Sequence, residues 1–125
     1  MKHIPSAINL KSQSQQLEVI YPDHRFLLGA EYLRQYSPSA EVRGHGNEPR
    51  KYVAGKKHVK MLKLEPVGHY AIKIVFDDRH DTGLYDWDYL YELGKNFEQN
   101  WHAYLKHLDE NHLSREPGSF KDAAP

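Results

Sequence analysis

One local pattern occurs twice in this chain and limits the folds that it can adopt. Residues 17–23 (LEVIYPD) resemble residues 72–78 (IKIVFDD), and both runs end in a polar turn. Each continues into a second short strand and then a helix start, AEYL at residues 30–33 and WDYL at residues 87–90. This pattern predicts two similar β-hairpin–helix units whose hairpins share one sheet. The alternative is that two generic hairpins look alike by chance.

Two helices are predicted after the second hairpin, and the first of them is the helix that starts with WDYL. Asp86 is a typical N-cap for the first of them, and Gly94 is a typical terminator. Asn96 is placed to cap the second helix. Along that second helix the apolar residues follow helical spacing and form one stripe suited to packing on a sheet: Phe97, Trp101, Tyr104, Leu105 and Leu108.

These patterns predict a single α+β domain over residues 15–113. It contains a small, mainly antiparallel sheet built from the two hairpin–helix units, with the C-terminal amphipathic helix packed on it. Residues 1–14 are predicted to be a flexible lead-in, and residues 114–125 a disordered tail.

Composition excludes several classes of function. Lysine plus arginine number 17, as do aspartate plus glutamate, and this balance argues against general nucleic-acid binding. The chain has no cysteine, which excludes disulfides, thiolate nucleophiles and cysteine-held clusters. No apolar run has the length of a signal peptide or a membrane span, so we expect a cytoplasmic protein with no membrane contact.

A long polar segment, residues 37–57, is the first candidate site. It runs through several glycines and prolines for about twenty residues, which is longer than a compact domain usually tolerates without a functional reason. Arg43 and the other basic residues of this segment are suited to an anionic ligand or an acidic partner. A merely solvated basic loop is the alternative.

Two histidines stand among other potential metal ligands. His45 lies near Glu41, and His80 lies within an acidic bend that contains Asp77, Asp78 and Asp81. Imidazole with carboxylates can hold zinc or another divalent ion. The alternative is that the aspartates only stabilise a tight turn. We find no sequence motif that pairs a nucleophile with a base.

Several motifs, in order, carry a family resemblance. They are EYLR (31–34), SPSAEVRGHG (37–46), LEPVGHYA (64–71), FDDRHDTGLY (76–85) and WDYL (87–90). Over roughly residues 15–95 the chain resembles the stand-alone bacterial members of the family named after the N-terminal domain of gamma-butyrobetaine hydroxylase.

The resemblance implies a zinc site that this chain has largely lost. In the hydroxylases, three cysteines and a histidine of this domain hold zinc. The cysteine positions fall on Ser37, Ser39 and Val42 here, while His80 matches the histidine. A rebuilt site that uses Glu41, His45 and His80 is the alternative. The oxygenase activity belongs to a separate catalytic domain and is not implied.

The resemblance also implies a partner. Similar domains occur fused to ATP-binding iron–sulfur cluster carrier proteins, which suggests an accessory role in cluster assembly or delivery. Because this chain has no cysteine, it would act by docking on such a carrier rather than by holding a cluster.

The sequence hypothesis is therefore a non-enzymatic binding or adaptor module. Its working face would join residues 37–57 to the bend at residues 77–85. The candidate contact residues are Arg34, Glu41, Arg43, Tyr85 and Trp87, and the candidate metal ligands are His45 and His80. No cofactor is required, and zinc is the candidate ion. The alternatives are a metal-dependent enzyme that uses these histidines, and a homodimer built through sheet edges or the aromatic helix. The oligomeric state is left open.

Overall fold

The computed structural model describes residues 2–39 and 50–118. Within these ranges the chain forms two three-stranded antiparallel sheets and three helices, which confirms the predicted α+β class. The prediction of one shared sheet is wrong, because the strands divide into two separate sheets. No helix in the described part of the chain has the length and apolar character needed to span a lipid bilayer.

The first unit is a three-stranded meander followed directly by a helix. Strands β1 (Ala7–Lys11), β2 (Gln16–Ile20) and β3 (Arg25–Gly29) pair in that order, and α1 (Ala30–Gln35) begins at the next residue. β1 lies within residues 1–14, which the sequence placed outside the folded domain. The structure therefore adds a strand to the predicted hairpin.

The second unit has the same order of elements. Strands β4 (Met61–Val67), β5 (Ala71–Phe76) and β6 (Leu84–Asp86) form the second sheet, and α2 (Trp87–Lys95) follows at once. The repeat seen in the sequence is thus present in the fold, and in each copy one further strand precedes the repeated strand–turn–strand–helix pattern. The last helix, α3 (Phe97–Glu110), follows the repeat.

The start of α2 was predicted correctly, and its end was not. The Asp86 carboxylate accepts a hydrogen bond from the Tyr89 backbone N–H at 2.8 Å, as an N-cap does. The helix continues through Gly94 and ends at Lys95. Gly94 lies against the ring of Phe26, where a β-carbon would overlap that ring. This glycine therefore serves close packing between the two units and does not terminate the helix.

Buried tyrosines join the two units through hydrogen bonds to backbone carbonyls. Tyr85 of β6 donates to the Leu33 carbonyl of α1 at 2.6 Å. Tyr32 of α1 donates to the Leu93 carbonyl of α2 at 2.7 Å, and burial raises the pKa of Tyr32 to about 12. Each hydroxyl satisfies a polar group inside the apolar core, where an unpaired one is costly.

The segment after α3 packs against the residues that precede β4. The carbonyls of Ser114 and Arg115 accept hydrogen bonds from the backbone N–H groups of Gly55 and Lys57, at 2.9 and 3.0 Å. The Arg115 guanidinium makes two hydrogen bonds to the buried Glu31 carboxylate, at 2.7 and 2.8 Å. The first residues of the predicted tail are therefore attached to the domain.

Candidate functional site

The described ends of the long polar segment lie beside the acidic bend between β5 and β6. Ser37 Oγ lies 2.8 Å from His80 Nε2, and Ser39 Oγ lies 2.7 Å from Thr82 Oγ1. We call the group of polar side chains at this contact the polar junction: Arg34, Ser37, Ser39, Lys56, Asp78, His80 and Thr82. The two segments that the sequence predicted to share a recess therefore do meet, at residues 37–39 and 78–82.

Asp78 is the charged centre of the polar junction. Its Oδ2 lies 2.7 Å from Arg34 Nε and 2.9 Å from Lys56 Nζ, while its Oδ1 accepts from the His80 backbone N–H at 3.1 Å. Burial raises the pKa of this carboxyl, but the bonds from Lys56, Arg34 and the backbone of His80 outweigh it and hold the pKa below its usual value. Asp78 is therefore an ionised structural anchor.

Arg34 is buried in the polar junction. Its side chain is 9% exposed, and within residues 2–39 and 50–118 its Nη1 has no hydrogen-bond partner. An arginine in this position cannot offer its guanidinium to a partner surface. The sequence identified Arg34 as a contact residue, whereas the structure uses it to fix α1 against the acidic bend.

Tyr85 and Trp87, which the sequence proposed as contact residues, both bond to other parts of the domain. Tyr85 is fully buried, and burial raises the pKa of its hydroxyl, which is bonded to Leu33. Trp87 is partly buried and donates its indole N–H to the His69 carbonyl at 2.7 Å, at the turn between β4 and β5. These two residues therefore support the core and a turn.

The described residues at the former zinc positions do not fit a zinc ion. Ser37, Ser39 and His80 come together as the resemblance implies, but Ser37 and Ser39 supply hydroxyls, and zinc in proteins takes thiolate, imidazole or carboxylate ligands. Ser37 is fully buried and its hydroxyl also accepts from the Ser39 backbone N–H. Hydrogen bonds thus hold together the segments that zinc would hold in the hydroxylases.

Glu41, Arg43 and His45 lie outside the described residues, and with them two of the three ligands of the rebuilt metal site; the third, His80, is described. In the described part of the chain, no three His, Cys, Asp or Glu side chains are grouped so that they could hold an ion. The assignment of a metal to His80 therefore gains no support from its described neighbours.

Arg50 is a structural residue that the sequence reasoning missed. Its Nη1 donates to the carbonyls of Gln35 and Ser37, each at 3.1 Å, and its guanidinium lies 4.7 Å from the centre of the Tyr36 ring. It thereby caps the Gln35 carbonyl at the end of α1 and binds the Ser37 carbonyl just beyond the helix. The sequence feature that could have indicated this role is the position of the arginine, directly after Pro49 at the end of a glycine-rich segment.

A second recess lies beside the start of α1. This aromatic cleft has a volume of about 330 Å³ and lies between the β1–β2 turn, the start of α1 and the first turns of α3. Phe97 and Trp101 line it with stacked rings whose centres are 5.8 Å apart. The charged groups at its edge are paired, Glu31 with Arg115 and Lys57 with Glu116. Its lining therefore combines aromatic and polar side chains and carries little unpaired charge.

Residues 8–91 match the family model described as gamma-butyrobetaine hydroxylase-like, N-terminal, and the chain belongs to this family. The match starts inside β1, so it includes the strand that the sequence reasoning left out. It stops before α3, as the resemblance did.

Solved structures agree with this assignment. Two NMR solution structures, each titled only as that of a protein, have 48% and 47% sequence identity to this chain and TM-scores of 0.81 and 0.78. They cover 92% and 93% of this chain, and the alignments span 91% and 87% of theirs. A crystal structure from Acidithiobacillus ferrooxidans, of a protein with unknown function in the DUF971 family, has 36% identity and a TM-score of 0.60 over 72% of this chain and 91% of its own. No curated protein matches the chain.

Proposed function

We propose that this chain is a non-enzymatic binding module of the cytoplasm that docks on a protein partner through residues 40–49, the segment next to the polar junction. The observation that carries the proposal is the anchoring of both ends of this ten-residue segment. Arg50, at one end, hydrogen-bonds the Ser37 carbonyl near the other end at 3.1 Å. Ser39 is bonded to Thr82 across the bend.

Anchored ends favour binding because the flanking residues, Ser39 and Arg50, are already held in place by the scaffold and need not be ordered when a partner binds. Functional residues are commonly carried by loops that a rigid scaffold positions. The segment between the anchors contains Glu41, Arg43 and His45, which we propose as contact residues. Their mixed charges suit a partner surface that also carries both signs.

The polar junction supports a binding role over a catalytic one. Asp78 is held ionised by two cations, and the His80 ring is bonded to the buried Ser37. A general base needs to reach a substrate and to have a pKa near the working pH. Here the carboxylate with the lowered pKa serves an ion-pair cluster instead.

The partner that we propose is an ATP-binding iron–sulfur cluster carrier. The support is the family resemblance together with the absence of cysteine, which leaves this chain no thiolate with which to hold a cluster itself. Docking is the contribution that remains for such a chain.

Affinity co-purification from the native cells tests both parts of this proposal. We expect the tagged chain to retain the cluster carrier, and Arg43→Glu to lose it. Lys51→Glu is the matched control, because Lys51 is an exposed cation just outside the segment, and it should retain the carrier. Circular dichroism and thermal unfolding of each variant establish that the fold is unchanged. Recovery of no partner, or equal recovery with Arg43→Glu, would contradict the proposal.

A further inference from the structure

Two parallel stripes of side chains that are exposed, or in the case of Trp101 partly buried, run along α3. The first is apolar and consists of Phe97, Trp101 and Leu105, of which Phe97 and Leu105 are 36% and 37% exposed. The second lies one residue further along the chain and consists of Glu98, His102 and Lys106, all exposed. Residues four apart lie on one face of a helix, so the two stripes run side by side.

The charged stripe has opposite signs at its two ends. Glu98 stands at the N-terminal end, His102 in the middle and Lys106 at the C-terminal end. Among residues 2–39 and 50–118, neither Glu98 nor Lys106 has an ion-pair partner, although most of the buried charges of the domain do. If a second α3 lies antiparallel to the first, each Glu98 faces the partner's Lys106.

The apolar stripe follows the same symmetry. A two-fold axis that passes between Trp101 and His102 places Phe97 opposite the partner's Leu105. Phe97 also lines the aromatic cleft, together with Leu27, which is 42% exposed. The partner's Leu105 would therefore cover the mouth of a neutral, aromatic-lined recess, and the recess would lose its contact with water.

We propose that α3 packs antiparallel on α3 of a second copy of this chain, about a two-fold axis at Trp101 and His102. Self-complementarity is the argument for a second copy over a different protein. In a two-fold interface the same surface occurs on both sides, so residue i meets residue j and j meets i. The charged stripe satisfies this requirement, with each acid opposite a base, and a different partner would not impose it.

The dimer is expected to be weak, because the patch is small compared with the roughly 1,200–2,000 Å² of stable interfaces. A dissociation constant on the order of 100 μM is consistent with that size. Such association is measurable by sedimentation equilibrium and by translational diffusion in NMR over a range of protein concentrations.

Charge reversal with rescue is the first test. Glu98→Lys and Lys106→Glu should each weaken the dimer at least about tenfold, because each places two like-charged pairs in the interface. The double variant should return to within about threefold of the wild type, since the pairs are restored in reverse. Glu92→Lys is the control, an exposed acid on α2 and so outside both stripes of α3, and it should change the dissociation constant little.

Cysteine cross-linking tests the position of the axis. Because the chain has no cysteine, a single introduced one reports its own distance from its copy. His102→Cys should form a covalent dimer with a short bismaleimide, whereas Ala103→Cys, exposed on another face of α3, should not. Sedimentation as a monomer at millimolar concentration would overturn the proposal. So would a dimer that both reversals leave unchanged, or equal cross-linking of the two cysteine variants.

Discussion

Replacement of Asp78 by asparagine is expected to destabilise the fold by about 3 kcal/mol at neutral pH. The side chains of Arg34 and Asp78 are only 9% and 14% exposed, so the change leaves a buried guanidinium without its counter-charge. Removal of one partner from a buried ion pair typically costs more than the pair itself contributes, because the remaining charge has lost its hydration. Arg34 already has one unsatisfied Nη1 within the described residues, which leaves little alternative bonding to compensate.

The pH dependence of this loss has a definite sign. The folded-state pKa of Asp78 lies below its unfolded value, so the stabilisation is complete above about pH 4 and declines as the pH falls through the folded-state pKa. The difference between wild type and Asp78→Asn should therefore be largest at pH 7 and should shrink below pH 4. Urea unfolding at a series of pH values, followed by circular dichroism, measures both quantities.

Glu65→Gln is the matched control for Asp78→Asn. Glu65 is also a carboxylate between two lysines, Lys63 and Lys73, and its pKa is also lowered by them. Its side chain is 39% exposed, however, so water can replace the lost partners. We expect a much smaller effect on the free energy of unfolding. Equal effects of the two substitutions on the free energy of unfolding would refute the argument that burial makes the ion pairs of Asp78 more stabilising than those of Glu65.

Three further predictions concern stability. Gly83→Ala should lower the free energy of unfolding by about 2 kcal/mol, because a β-carbon there would overlap Ser37 Oγ. Ser37→Ala in the same chain should recover part of this loss, and a double-mutant cycle of urea unfolding measures the recovery. Arg50→Met should cost about 2 kcal/mol because it removes the hydrogen bonds to the Gln35 and Ser37 carbonyls, while Lys51→Met, at an exposed position, should leave the thermal midpoint unchanged. Since burial raises the pKa of Tyr32 to about 12, stability should fall as the pH rises above about 10, and tyrosinate absorbance should then appear together with loss of circular dichroism.

Local signals predicted those parts of the fold that depend on neighbours in sequence. The N-cap at Asp86 and the strand pattern of β5 were correct, because side-chain chemistry and alternation act over a few residues. The end of α2 was wrong because the function of Gly94 depends on Phe26, nearly seventy residues away in sequence. β1 was missed because its five residues are only partly buried and acquire their order by pairing with β2.

For the candidate site too, some features could be predicted from the sequence and others could not. The meeting of residues 37–39 with the acidic bend followed from the motif order, and the structure brings Ser37 and His80 together. Burial of Arg34 and Tyr85 could not be read from the sequence. A three-residue strand such as β6 does not reveal which face is inward, and an arginine in a short helix looks exposed until its carboxylate partner is known.

The attachment of Arg115 to Glu31 has a practical consequence for anyone who shortens or fuses this protein. By composition, the residues after Leu113 resemble a disordered tail, and a shortened protein would ordinarily be ended there. That cut would remove Arg115 and leave the buried Glu31 carboxylate, among the residues that the structure describes, with the Tyr104 hydroxyl as its remaining side-chain partner. Tags and fusion partners therefore belong beyond Pro117, whose neighbour Glu116 still holds Lys57.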